Sequence, residues 1–317
     1  MKIVILERAS VGADIDVNFD DLGETTVYPN TVTADEVRER VRDADVIVAN
    51  KAPLNEDTLG DAPNVRLICV FATGYDTIDL AYCRKRGIKV ANVVNYCTGM
   101  VAQHTFAMAL YLFEKLPYYD RYVKSGAYAA QDRFSNFDLP FYELEGKTWG
   151  IIGMGNIGRR VAQIASAFGC RVIFYSVTGK SRVTDCPQVN FETLLAESDI
   201  LSLHCPLSPL TRNLIDLAAL RKMKSSAILI NVARGPVVNN RDLATALNEG
   251  VIAAAGLDVL ESEPIKTDNP LGLIQDSTKL LITPHLAWAS VEARQRCVDE
   301  VHENVRAFLE GRDRNLV

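Results

Sequence analysis

The sequence predicts an α/β protein of two parallel-sheet domains, on three observations. Short β-branched runs alternate with amphipathic stretches along most of the chain, the pattern that builds parallel sheets flanked by helices. The chain has 317 residues, 48% of them hydrophobic, which suits two cores at roughly 150 residues per domain. A second strand and helix series opens near the middle on a glycine turn, TWGIIGMGNIG.

In the first series KIVILE, DVIVAN and RLICVFAT read as strands. TADEVRERVRD opens a helix with a capping box, Thr33 and Glu36, and IDLAYCRKRG closes one on Gly87. Residues 99–116, GMVAQHTFAMALYLFEKL, have no internal break and read as one buried helix connecting two domains. The following PYYDRYVKSGAYAAQDRFSNFDLPFYELEGK is aromatic-rich and weakly periodic, which fits a packing arm or a subunit contact. In the second series CRVIFYS, DILSLHCP, AILINVAR, AAAGLDVL and KLLITP read as strands. NFETLLAES, DLAALRKMK and NRDLATALNEG lie between them as helices, giving a doubly wound sheet. The last helix runs through SVEARQRCVDEVHENVRAFLEG and stops at Gly311.

Composition excludes several classes. A net charge of -6 gives no overall basic footprint for nucleic acid or an anionic membrane. MKIVILERAS has only four strongly apolar residues before Glu7 and Arg8, too few for a secretion signal. The apolar run from Phe106 to Phe113 is far short of the roughly 20 residues that span a bilayer. The expectation is a cytoplasmic protein. Seven cysteines are scattered without a C-x-x-C pair or a neighbouring histidine cluster, so they read as reduced, mostly buried thiols and not as a zinc site.

Gly153, Gly155 and Gly158 stand where a strand turns into a helix beginning near Asn156. Glycines at this spacing permit a tight turn, approach of a pyrophosphate to backbone N–H groups, and close helix-to-strand packing. The turn therefore points to a dinucleotide. The next strand ends at Ser176, where such units usually hold an acid for the ribose diol. Ser176, Thr178, Lys180, Ser181 and Arg182 offer hydroxyls and cations instead, which favours NADP(H) being used at least as well as NAD(H). Cations that are merely solvated, with NAD held by hydroxyls, remain the duller alternative.

NVARG, LESEP and TPHLAW follow predicted strands, whose carboxyl ends face the ligand crevice of an open parallel sheet. Arg234 suits a substrate carboxylate and His285 suits proton exchange with a carbonyl or hydroxyl. Glu263 beside the imidazole would favour its charged form. Singly, each residue also fits a structural or solvated role. His204, His302 and His104 read as bland.

The ordered series ATGYDTIDL, VAQHTFA, GIIGMGNIG, HCPL, NVARG, AGLDVLESEP and TPHLAW resembles the D-2-hydroxyacid dehydrogenase family over nearly the whole chain, most closely its glycerate dehydrogenase (hydroxypyruvate reductase) branch. The resemblance implies two Rossmann-like/flavodoxin-like domains, with residues 1–98 and 286–317 forming the substrate domain and residues 99–285 an inserted cofactor domain. It implies that Arg234 orients the substrate, Glu263 partners the histidine, and His285 is the general acid/base. Thr73 and Gly74 would hold the substrate carboxylate by backbone, and Lys51, after Asn50, and Trp288 would border the substrate; Trp288 also fits simple packing. Besides the glycine turn with Asn156 and Ile157, the resemblance puts Cys205, Pro206, Thr211, Val232 and Ala233 at the cofactor, and Asp258 at the nicotinamide carboxamide.

The implied reaction is hydride transfer from NAD(P)H to C2 of a small 2-oxo acid, hydroxypyruvate or glyoxylate, giving D-glycerate or glycolate, and the resemblance implies a homodimer. The alternatives are a bulkier branched or aromatic 2-oxo acid and, in another class, a corepressor-like protein that senses the nucleotide without turnover. Two positions depart from the common family pattern: Ser176 replaces an acid, and Gln103 stands where Glu is frequent.

Overall fold

A computed structural model describes residues 1–317, which form two compact units, Met1–Cys97 with Ala289–Val317, and Thr98–Trp288. Both are α/β units built on a parallel sheet.

The first unit contains β1 (Lys2–Ile5), β2 (Glu24–Val27), β3 (Val46–Ala49), β4 (Leu67–Val70) and β5 (Lys89–Ala91). Their order is β2-β1-β3-β4-β5, all parallel. Every residue of β3 and β4 is buried, which is why these strands read as unbroken apolar runs rather than alternating ones. The strand order reverses between β1 and β3, so the crevice of this unit opens at their carboxyl ends. There Glu7, 7% exposed, accepts the N–H groups of Asn50, Lys51 and Ala52 at 2.7 to 3.0 Å and fixes the loop after β3. The helix Val291–Leu309 packs back on β4. Asn304 Nδ2 ties it to the Asn92 carbonyl at 3.0 Å.

The sequence predicts no strand at β2. ETTV is mostly exposed and lacks an apolar face, and its pairing comes from the β1 backbone. The Thr33–Glu36 capping box is present, and Gly87 ends its helix at φ 71°.

The second unit contains β6 (Thr148–Ile152), β7 (Arg171–Tyr175), β8 (Ile200–Leu203), β9 (Ile228–Asn231), β10 (Ala254–Leu257) and β11 (Leu280–Ile282). The order is β11-β10-β9-β8-β6-β7, again all parallel. A single parallel bridge, Phe174 to Gln188, extends it beyond β7. The helix Thr98–Phe113 covers one face. Phe106 stacks on the fully buried Trp149 at 4.4 Å, and Gly256 leaves room for Met108, whose Cβ would lie 3.3 Å from a Cβ at that position. Truncating such a buried aromatic costs about 3–5 kcal/mol.

The expected unbroken helix over residues 99–116 is corrected. It ends at Phe113, Lys115 takes a left-handed φ of 57°, and a separate helix spans Leu116–Lys124. Continuation would need the N–H of residue 117 for the Phe113 carbonyl, and Pro117 has none. The expected helix DLAALRKMK is likewise shorter, Leu217–Leu220. In the aromatic segment a short helix, Ala127–Ala130, precedes an irregular stretch on which Phe134 is 90% and Phe137 76% exposed. No helix is long and apolar enough to cross a membrane.

Candidate active site

β9, β10 and β11 lie side by side, and the segments leaving their carboxyl ends carry Arg234, Glu263 and His285. Asn231, fully buried at the end of β9, shapes the first segment: its Oδ1 accepts the Ala233 N–H and its Nδ2 donates to the Arg234 carbonyl, both at 3.0 Å. The half-buried Arg234 also donates from Nη1 to the Ala233 carbonyl at 2.8 Å. Gly235 then presses on the second segment. A Cβ there would stand 1.9 Å from the backbone carbon and oxygen of Leu260, so only glycine allows the two loops to meet this closely.

The Glu263 carboxylate works in two directions. Oε1 accepts the Leu260 N–H at 3.0 Å, and Oε2 lies 2.7 Å from His285 Nδ1. A carboxylate accepts only, so Nδ1 carries a proton and Nε2 is the ring position left for exchange with a ligand. His285 is 30% exposed and Glu263 36%, which keeps the pair accessible.

His285 adopts φ 56°, a left-handed conformation uncommon for a side chain of this size. Its N–H donates to the carbonyls of Asp258 and Thr283 at 2.9 and 3.0 Å. The Asp258 carboxylate, 1% exposed, accepts the N–H groups of Leu286 at 2.7 Å and Ala287 at 2.8 Å and the Thr283 hydroxyl at 2.6 Å. Burial pushes the Asp258 carboxyl up, but hydrogen bonds from His104, Thr283, Ala287 and Leu286 outweigh it and hold the group below its ordinary value. Asp258, expected at the nicotinamide, thus has its side chain within the loop that carries His285.

The sequence reads His104 as bland, whereas the structure gives it two partners. Its Nε2 lies 3.0 Å from Thr283 Oγ1 and 3.5 Å from Asp258 Oδ1. The available signal was a lone polar ring on an apolar helix, but the partners are far away in sequence.

The strand order reverses between β6 and β8, and the glycine turn sits at that switch. Gly153 has φ 95°, and a Cβ on it would lie 2.7 Å from the Cys205 N and 2.8 Å from the His204 carbonyl. A Cβ on Gly158 would lie 2.2 Å from the Gly153 oxygen, whereas one on Gly155 would meet nothing within 4 Å. Gly155 is the N-cap of the helix Asn156–Ala167 and provides no side-chain cap, and the space beside its Cα is open. An open, uncapped helix start beside tightly packed glycines fits a dinucleotide pyrophosphate.

Beyond β7, Gly179 N–H closes a turn onto the Ser176 carbonyl at 3.0 Å. Thr178, Lys180 and Arg182 are exposed, and the two cations enter no ion pair. Cys205 is buried, which pushes its thiol up to about 11. The Thr211 hydroxyl, 2% exposed, bonds the Pro206 carbonyl at 2.8 Å and the Ser208 N–H at 2.7 Å, so it folds this loop. Val232 and Ala233 lie in the turn held by Asn231. Trp288 is half-buried at the end of the unit.

In the first unit Lys51 is exposed on the loop held by Glu7. The Thr73 hydroxyl donates to the Val93 carbonyl at 2.6 Å, and the Thr73 carbonyl accepts from Asn92 Nδ2 at 2.7 Å. Thr73 and Gly74 follow β4 at the carboxyl edge of that sheet.

Residues 106–287 match the family model of the D-isomer specific 2-hydroxyacid dehydrogenase NAD binding domain. The chain is 38% identical to a hydroxypyruvate reductase of Blautia hydrogenotrophica, covering 100% of this chain and 99% of the relative. It is 39% identical to a glycerate dehydrogenase of Methylorubrum extorquens, covering 100% and 98%. Its fold is similar to the crystal structure of an NADPH-dependent glyoxylate/hydroxypyruvate reductase from Sinorhizobium meliloti in complex with citrate, at a TM-score of 0.84 and 26% identity over 100% of this chain and 97% of that one. A match that runs the length of the chain in both sequence and fold leaves one assignment: the chain belongs to the D-isomer specific 2-hydroxyacid dehydrogenase family.

Proposed function

We propose that the protein reduces hydroxypyruvate or glyoxylate to D-glycerate or glycolate, using NADPH at least as well as NADH. The observation that carries the reading is the 2.7 Å contact of Glu263 Oε2 with His285 Nδ1, on segments next to the one bearing Arg234. When bound, the reduced nicotinamide supplies a hydride to C2 of the oxo acid. Protonated His285 donates its Nε2 proton to the carbonyl oxygen, and Glu263 holds the ring and stabilises its charge. Arg234 grips the carboxylate with a planar fork. The N–H groups of Thr73 and Gly74 and the Lys51 ammonium are further contacts for that anion, and Trp288 limits the bulk of the substrate. The glycine turn, with Asn156 and Ile157, takes the pyrophosphate; Cys205, Pro206, Thr211, Val232 and Ala233 border the cofactor. Asp258 remains assigned to the nicotinamide end through its position in the loop.

The unit formed by both chain ends is accordingly the substrate domain, and the unit Thr98–Trp288 the cofactor domain. The NADPH preference rests on Ser176 in place of an acid and on exposed Lys180 and Arg182 without acidic partners. The exposed Phe134, Phe137, Phe141 and Tyr142 support a homodimer, and seven unpaired cysteines suit the cytoplasm.

The test is initial-rate reduction of hydroxypyruvate, glyoxylate and a branched and an aromatic 2-oxo acid with NADH and NADPH. The reading expects the highest kcat/KM for the two small acids and at least equal specificity for NADPH. Preference for a bulky acid would overturn the substrate assignment, and strong preference for NADH would overturn the cofactor assignment. Light scattering at the mass of one chain would overturn the dimer.

A further inference from the structure

We infer that His104 is a positioning residue for His285, acting through Thr283 and Asp258. The inference rests on the reading of His285 as the proton donor. The Thr283 hydroxyl has one proton, and its 2.6 Å bond to the acceptor-only Asp258 Oδ1 uses it. The 3.0 Å contact between Thr283 Oγ1 and His104 Nε2 must therefore be donated by the histidine, which fixes Nε2 as a protonated nitrogen. Nε2 also stands 3.5 Å from Asp258 Oδ1, so it is the ring donor facing a carboxylate that is 1% exposed.

The consequence runs along a continuous set of bonds. Nε2–H of His104 holds the Thr283 hydroxyl turned toward Asp258, and the same carboxylate holds the Leu286 and Ala287 N–H groups. The carbonyls of Thr283 and Asp258 both accept the N–H of His285. Thus the left-handed backbone at His285, φ 56°, is enclosed by groups that His104 orders from the helix Thr98–Phe113. Without a donor at position 104, the Thr283 oxygen and the Asp258 carboxylate each lose a partner, and the loop can relax from the conformation that sets His285 against Glu263.

The experiment compares His104→Leu, His104→Gln, Thr283→Val and the double variant His104→Leu/Thr283→Val, with His285→Ala as reference. Each is measured for kcat and KM with hydroxypyruvate and for cofactor affinity by quenching of protein fluorescence. His104→Leu is expected to lose about 10- to 100-fold in kcat, the size of loss that a misplaced reacting group produces, with cofactor affinity retained. His104→Gln, whose amide can donate, should recover most of that loss. Thr283→Val should resemble His104→Leu, and the double variant should be no worse than either, since both break one chain of bonds. Wild-type kcat in His104→Leu and Thr283→Val would overturn the inference, as would equal losses in His104→Leu and His104→Gln. Additive losses in the double variant would also overturn it. Full activity of His285→Ala would instead refute the proton-donor reading itself, whatever His104 does. Should His104→Leu fail to fold, the His104→Gln and Thr283→Val pair still decides: unimpaired Thr283→Val overturns the inference, and a kcat loss there with intact cofactor binding supports it.

Discussion

At the scale of single residues the site depends on which atoms are already engaged. Arg234 spends one guanidinium nitrogen on its own turn, so it is anchored before any ligand arrives. Arg234→Lys is expected to lower kcat/KM by about 10- to 100-fold, the worth of a charged hydrogen bond that a point charge does not replace. Steady-state kinetics with hydroxypyruvate checks this, and unchanged kinetics would remove Arg234 from the substrate. His285→Ala should lower kcat about 10²–10⁴-fold while leaving cofactor binding intact. Asp258 governs an acid-side stability effect. Its folded pKa lies below its ordinary value of 3.8, so its contribution is complete above that value and is lost as pH falls through the lowered one. Thermal unfolding between pH 5 and pH 2 (roughly the carboxylate range) should therefore show a shallower loss of stability in Asp258→Asn than in the wild type. An identical slope would contradict the assignment. The strand-end positions of Arg234, Glu263 and His285 were legible because each follows an apolar run directly. The His104 link was not, since nothing local to an apolar helix marks a partner as distant as Thr283.

At the scale of elements, close approach decides what the sequence reveals. Buried parallel strands such as β3 and β9 announce themselves as apolar runs. The edge strand β2 does not, because backbone pairing rather than a buried face defines it. The break at Lys115 was hidden for a related reason: apolar spacing continues past it while the backbone turns at the missing N–H of Pro117. Gly235 shows the same limit at the site. In the sequence it is one more loop glycine, yet it lets the Arg234 turn rest on Leu260. Gly235→Ala should cost about 1–3 kcal/mol through overpacking and lower kcat/KM by separating the Arg234 and Glu263 segments. Differential scanning calorimetry with kinetics tests this, and a variant unchanged in both would show that the contact yields freely.

At the scale of the whole molecule, the thiols report how closed the two units are. Six of the seven cysteines are buried, and Cys186 alone is intermediate. Burial, with Asp185 nearby, pushes the Cys186 thiol up to about 11, so only about one in a thousand is thiolate at pH 8. Titration of the native protein with Ellman's reagent should thus show at most one slowly reacting thiol, and seven after unfolding in guanidinium. Several fast thiols in the native protein would contradict the packing of both cores. The first unit also has a consequence for synthesis. Its sheet is made from Met1–Cys97, but the helix that covers β4 and the Val317 N–H that bonds the Val90 carbonyl at 3.0 Å come from residues translated after all of Thr98–Trp288. At about 5–20 residues per second the wait is on the order of tens of seconds. For that time the emerging sheet lacks one of its covering helices, so the ribosome carries an unfinished domain that chaperones can bind, while the inserted unit is free to fold first.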